Sequence, residues 1–100
     1  MILRDWRPYA KGGLRGYAKI ELDIGLVIPG IKVMVGSNGP FVLLPEQPIL
    51  QDGKLKKDVS GKPAYAPTVS WKDRKTADKF SAAAIRLLLA KYPDALGAAQ

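Results

Sequence analysis

One hundred residues make one domain, large enough for a working core but with little stability in reserve. The chain has no cysteine and no histidine, which excludes disulfides, thiolate nucleophiles, Cys/His zinc sites, imidazole bases and Ser-His-Asp triads. Its net charge of +7 is uneven, with six Lys/Arg against four Asp/Glu in residues 1–50 and ten against five in residues 51–100, and such a basic excess points to a polyanionic partner.

The first strand is expected from Ile2 to Tyr9, with a ragged pattern and Pro8 suited to a sheet edge or strand end. Lys11-Gly12-Gly13 is a turn signal. From Leu14 the alternation is clean: Leu14, Gly16, Ala18, Ile20 and Leu22 point one way, Arg15, Tyr17, Lys19, Glu21 and Asp23 the other. After a turn at Asp23-Ile24-Gly25, the apolar run Leu26 to Val35 changes parity in its middle. Pro29-Gly30 lies at the change, and a bulge there lets both halves face one core. Ser37-Asn38-Gly39-Pro40 is a hairpin turn, with neither the Lys-Ser/Thr nor the following helix of a phosphate cradle. Phe41 to Leu44 is a short strand ended by Pro45.

Residues 46–63 read as a long exposed loop, with a small hairpin tipped at Asp52-Gly53 and four cations, Lys54, Lys56, Lys57 and Lys62. Tyr65 to Val69 is expected to form one more extended segment. Ser70-Trp71-Lys72-Asp73 fits a helix start, and the helix is expected from about Trp71 to Lys91, stopped by Pro93. Ala77, Phe80, Ala84, Leu87, Leu88 and the stem of Lys91 share one side, and Ser81, Ile85 and Leu89 widen the apolar arc to roughly half the circumference. The extra flank fits either a dimer contact, the favoured reading, or a deeper seat against the long loop. Lys72, Lys75, Lys79 and Arg86 form a column away from that arc, able to track phosphates, with only Asp73 near enough to pair with it.

The fold class is therefore α+β: a small antiparallel meander of four or five strands over about residues 2–45, the loop, and one C-terminal helix packed on the sheet. No apolar run approaches the roughly 20 residues that span a bilayer, and Arg4 and Asp5 interrupt any leader pattern, so a cytoplasmic protein without membrane contact is expected. Asp5, Glu21, Asp23 and Glu46 form no acid/base pair or metal spacing, so neither enzymatic activity nor a cofactor is expected. The candidate nucleic-acid contacts are Lys54, Lys56, Lys57 and Lys62 of the loop and Lys72, Arg74, Lys75 and Lys79 around the helix start, where backbone amides also favour anions. Tyr17, Tyr65 and Trp71 are candidate stacking platforms, although such aromatics more often belong to a core. Lys32 is read as an ordinary exposed residue.

The segment Ala18 to Pro45 resembles the SpoVG (septation protein) family. It reads Ala-Lys-Ile-Glu-Leu-Asp, then Leu-Val-Ile-Pro-Gly-Ile-Lys-Val-Met-Val-Gly-Ser-Asn-Gly-Pro-Phe-Val-Leu-Leu-Pro. Asp5 and Arg7 match an early Asp-x-Arg of that family, Tyr65-Ala66-Pro67 is loosely similar to its Ala-His-Pro stretch, and the closing helix ends similarly at Tyr92. The resemblance implies a bacterial homodimer built by strand pairing that binds DNA and RNA as a regulator of septation, sporulation or virulence genes. Where that family often carries basic residues after its Met-Pro strand end, this chain has Glu46-Gln47-Pro48, and the longer loop's lysines are expected to act from a different position. An interaction module without direct nucleic-acid contact is the alternative.

Overall fold

Strand β2 (Leu14–Glu21) lies between β1 (Ile2–Lys11) and β3 (Val27–Gly36), and β4 (Gly39–Leu43) completes an antiparallel sheet of order β1-β2-β3-β4 in this computed structural model, which describes residues 1–97. Alternation on β2 buries Gly16, Ala18 and Ile20 on one face and leaves Tyr17, Lys19 and Glu21 on the other. Both neighbours depart from strict alternation at the same level. On β3, Ala18 pairs with Ile31 and Ile20 with Ile28, so Pro29-Gly30 bulges and Ile28 and Ile31 are both buried. Gly30 takes φ +69°, a conformation that costs other residues strain. On β1, Leu3 pairs with Ile20 and Asp5 with Lys19, so a second bulge brings Leu3 and Trp6 to the same core. That bulge is why the first strand looks ragged in sequence.

The helix α1 (Arg74–Lys91) lies on the buried face and contributes Phe80, Ala84, Ile85 and Leu88 to a single core with Ile20, Ile31 and Val33. Ile20, Ile31, Val33 and Leu88 are the largest fully buried side chains, each worth about 2 kcal/mol of burial. The wide apolar arc is used within the chain. Leu87 and Leu89 pack on the core, and the Ser81 hydroxyl accepts the Val42 amide at 2.9 Å, tying the helix to β4. The arc therefore gives no support to a dimer contact.

Three expectations change. The helix begins at Arg74, not near Trp71, because Asp73 is the N-cap and accepts the Thr76 amide at 2.7 Å, while Trp71 is held against Phe80 with ring centroids 4.8 Å apart. Leu14 pairs with Met34 through a further register shift, and Arg15 turns from the Tyr17 row to donate to the Leu96 carbonyl at 3.0 Å, fastening the segment after the helix. Residues 46–63, expected as a long exposed loop, are exposed over most of their length but are organised by strand pairing. β5 (Glu46–Pro48) pairs with β8 (Tyr65–Pro67), and β6 (Leu50–Gln51) with β7 (Lys54–Leu55) across a turn in which Asp52 and Gly53 both have positive φ. The expected small hairpin is thus present, inside a larger arm.

Neither sheet edge is a clean template for pairing. On β4 the outward Val42 amide is taken by Ser81; β1 carries Pro8, two register shifts and the charged Arg4, Asp5 and Arg7. Among the described residues no helix is long and apolar enough to cross a membrane.

Core and close-packing tests follow directly. Leu88→Ala should lower unfolding free energy by about 3 kcal/mol in urea titrations followed by circular dichroism. Gly16 lies against the Arg7 carbonyl, and a Cβ there would stand 2.5 Å from Cη2 of Trp6, so Gly16→Ala should cost about 2 kcal/mol in the same assay despite adding a single methyl group.

Candidate nucleic-acid interface

The arm is built around a ring of three backbone hydrogen bonds. The Ile49 amide donates to Ala64, the Ala64 amide to Lys56, and the Lys56 amide to Ile49, at 2.7–2.8 Å. Three short limbs leave this ring: the β5/β8 stem toward the sheet, the β6/β7 hairpin, and a limb opened by the Lys57–Pro63 bridge. The last limb is closed by Asp58, whose carboxylate accepts from the Ser60 hydroxyl and amide and from the Lys62 amide. The Ser60 hydroxyl above all holds the Asp58 carboxyl below the usual carboxylate range. Backbone bonding, not a packed core, shapes the arm, since residues 50–62 are exposed throughout.

This scaffold presents Lys54 on the hairpin, Lys56 at the ring, and Lys57 and Lys62 on the third limb. All four are exposed, and none lies within ion-pair distance of an acid among the described residues. The sheet half differs. There Arg4 pairs with Glu21, Arg7 with Asp5 at 3.3 Å, Lys32 with Glu46 at 3.3 Å, and the terminal ammonium with Asp23 at 2.6 Å. The four carboxylates that looked scattered in sequence are thus all taken up in ion pairs, and the terminal ammonium holds the Asp23 carboxyl below its ordinary value.

Around the helix start the candidates divide. Arg74, which is not part of the expected column, is paired with Asp78 at 3.2 Å, one turn on. Lys72 precedes the helix and drops out of the column. Lys75, Lys79 and Arg86 remain exposed and, at 3.6 residues per turn, point away from the buried Phe80, Ala84 and Leu88. They face solvent on the side opposite the open face of the sheet. The helix start and the root of the arm do adjoin. Both line an apolar groove of about 470 Å³ with Val42, Leu44, Pro67, Val69, Trp71 and Ala77, rimmed by Glu46, Asp73 and Arg74. Trp71 is committed to this packing and to Phe80 and is not a free stacking surface; Tyr65, on β8, is exposed.

The open face of the sheet gathers side chains that are far apart in sequence. Arg7, Tyr17, Lys32 and Leu43 form one row across the four strands, with Met34 and Phe41 in the next. Tyr9 lies 6.3 Å from Tyr17. The alternation that marks Ile20 as core marks its neighbours as this face, but the bulges on β1 and β3 hide which side chains share a row.

No family model, curated protein or solved structure matches the chain.

The helix cap makes stability sensitive to acid. The Thr76 hydroxyl, and then its amide, hold the Asp73 carboxyl below its ordinary value, so the charged cap stabilises the folded chain above the usual aspartate range and is lost as pH falls through the lowered value. Thermal melts should show a falling midpoint between neutral pH and about pH 3. Asp73→Asn should cap at neutral pH yet lose part of that acid sensitivity, whereas Asp73→Ala should melt a few degrees lower, about 5 °C, already at neutral pH.

Proposed function

We propose that the chain is a cytoplasmic, nucleic-acid-binding regulatory protein of SpoVG type that grips the phosphate backbone through its arm. One observation carries the reading: Lys54, Lys56, Lys57 and Lys62 stand exposed on a hydrogen-bonded scaffold with no acidic partner among the described residues. A cation already paired must give up its acid before it meets phosphate; these four need not, and each phosphate neutralised releases condensed counterions. Lys72, close in sequence to the helix cap, extends the grip from the arm's root, and Lys75 does so from the outer face of the helix. Lys79 adds to the helix's outer face, and Arg74 contributes only on release from Asp78. Contacts of this kind position a duplex or strand without reading its sequence, so preference among sequences is modest. Two copies acting together, as the resemblance implies, double the cationic surface, and light scattering should return twice the chain's mass.

A second reading, an interaction module that does not touch nucleic acid, is favoured by the apolar groove between β4, the arm's root and the helix start.

Duplex affinity measured across a salt series separates the two. The wild type should bind with a steep negative dependence of log K on log salt, and Lys54→Gln, Lys56→Gln and Lys57→Gln combined should reduce the slope by about 3 and weaken binding at every sequence tested. Affinity indifferent to salt would put the interaction module first.

A further inference from the structure

The bulges that serve the core also shape the opposite face of the sheet. Lys19 sits on β2 with a bulge on either side, at Leu3–Asp5 of β1 and at Pro29-Gly30 of β3. Two strands that would otherwise flank it with level rows of side chains are locally out of step. Beside it is a hollow of about 340 Å³ lined by Asp5, Arg7, Tyr17, Lys19, Pro29 and Gly30. That volume falls within the range of about 300–1,000 Å³ common to small-ligand sites.

The lining combines two chemistries. Tyr17 borders the hollow, and Tyr9 stands beside it with ring centroids 6.3 Å apart and planes tilted by 47°, so the two rings do not stack face to face and exclude a third. Lys19 has no acid within ion-pair distance among the described residues. Arg7 is 81% exposed, and its one acidic partner among the described residues, Asp5, is shared with the Trp6 amide at 3.0 Å. Glu21, the other acid on this part of the face, is held by Arg4. An aromatic ring between two cations on an open sheet suits a planar group joined to an anion: the ring takes the plane and the cations take the charge. A duplex keeps its bases stacked inside, so only unpaired nucleotides can offer both at once.

We infer that the open face of the sheet is a binding site for single-stranded nucleic acid, with Tyr17 stacking a base and Lys19 and Arg7 holding the flanking phosphates. The inference rests on the reading of the chain as a nucleic-acid binder and adds a second surface to it: the arm holds backbone of any kind, and the sheet selects unpaired strand.

Fluorescence anisotropy with a labelled oligothymidylate of about 12 nucleotides, and with a duplex of equal length, tests it on the full chain. Tyr17→Ala should weaken single-strand binding about tenfold and leave duplex binding unchanged; Tyr17→Phe should retain both, and Lys19→Ala should weaken the single strand by a smaller factor. Circular dichroism confirms that each variant is folded. Single-strand affinity unchanged in folded Tyr17→Ala, or an equal loss on strand and duplex, overturns the inference while the arm's role stands. So does a scattering mass that halves in Tyr17→Ala with nucleic-acid binding intact, which would mean that a second copy covers the face. Wild-type protein that binds neither probe would remove the proposed function and this inference together.

Discussion

The architecture depends on one constraint: β1 and β3 must each place two apolar residues spaced three apart on the same side of the sheet. Leu3 and Trp6, and Ile28 and Ile31, are all buried, and no regular strand can do this because its side chains alternate. The two bulges resolve the conflict, and they lie at the same level, on either side of Lys19. Without them one member of each pair would face solvent, and the helix would cover an incomplete core. With them, Ile20, Ile31, Val33 and Leu88 close the space between sheet and helix. The hollow on the far face is the other side of the same geometry.

The helix secures more than the core. Ser81 takes the Val42 amide that β4 would otherwise offer to another strand, and Trp71 leads the chain from the arm into the helix by packing on Phe80. Asp73, not Ser70, starts the helix, its side chain accepting the Thr76 amide.

Charge is partitioned along the chain in a way that composition conceals. In the sheet half all four acids are held in ion pairs, while Lys11, Arg15 and Lys19 have no acidic partner among the described residues. The arm carries two acids beside its lysines, Asp52 and Asp58; neither lies within ion-pair distance of a lysine among the described residues, and Asp58 is occupied with Ser60 and the Lys62 amide. A polyanion approaching the molecule therefore meets its free positive charge on the arm and on the outer face of the helix, while the open face of the sheet offers rings with a few cations beside them. Exposed ion pairs contribute little to stability, so their main effect here is to set which cations remain available.

Local patterns alone determined a good part of this protein. Alternation at Ala18 and Ile20, the parity change at Pro29-Gly30, the Asp52-Gly53 turn and the stop before Pro93 each follow from backbone sterics or side-chain period, which act over a few residues. The second bulge was not legible, because Pro8 and the short ragged run of β1 mask a three-residue spacing that only pairing with β2 reveals. Ser70 and Asp73 are both good caps by residue type, and local preference does not choose between them; in the fold Asp73 is the cap and Trp71, just before it, packs on Phe80. Which cations are free, that residues 46–67 close into a ring of backbone bonds, and that Arg7, Tyr17 and Lys32 share a row were decided by tertiary structure. Each depends on groups separated along the chain but brought together by strand register, and no local preference encodes that distance.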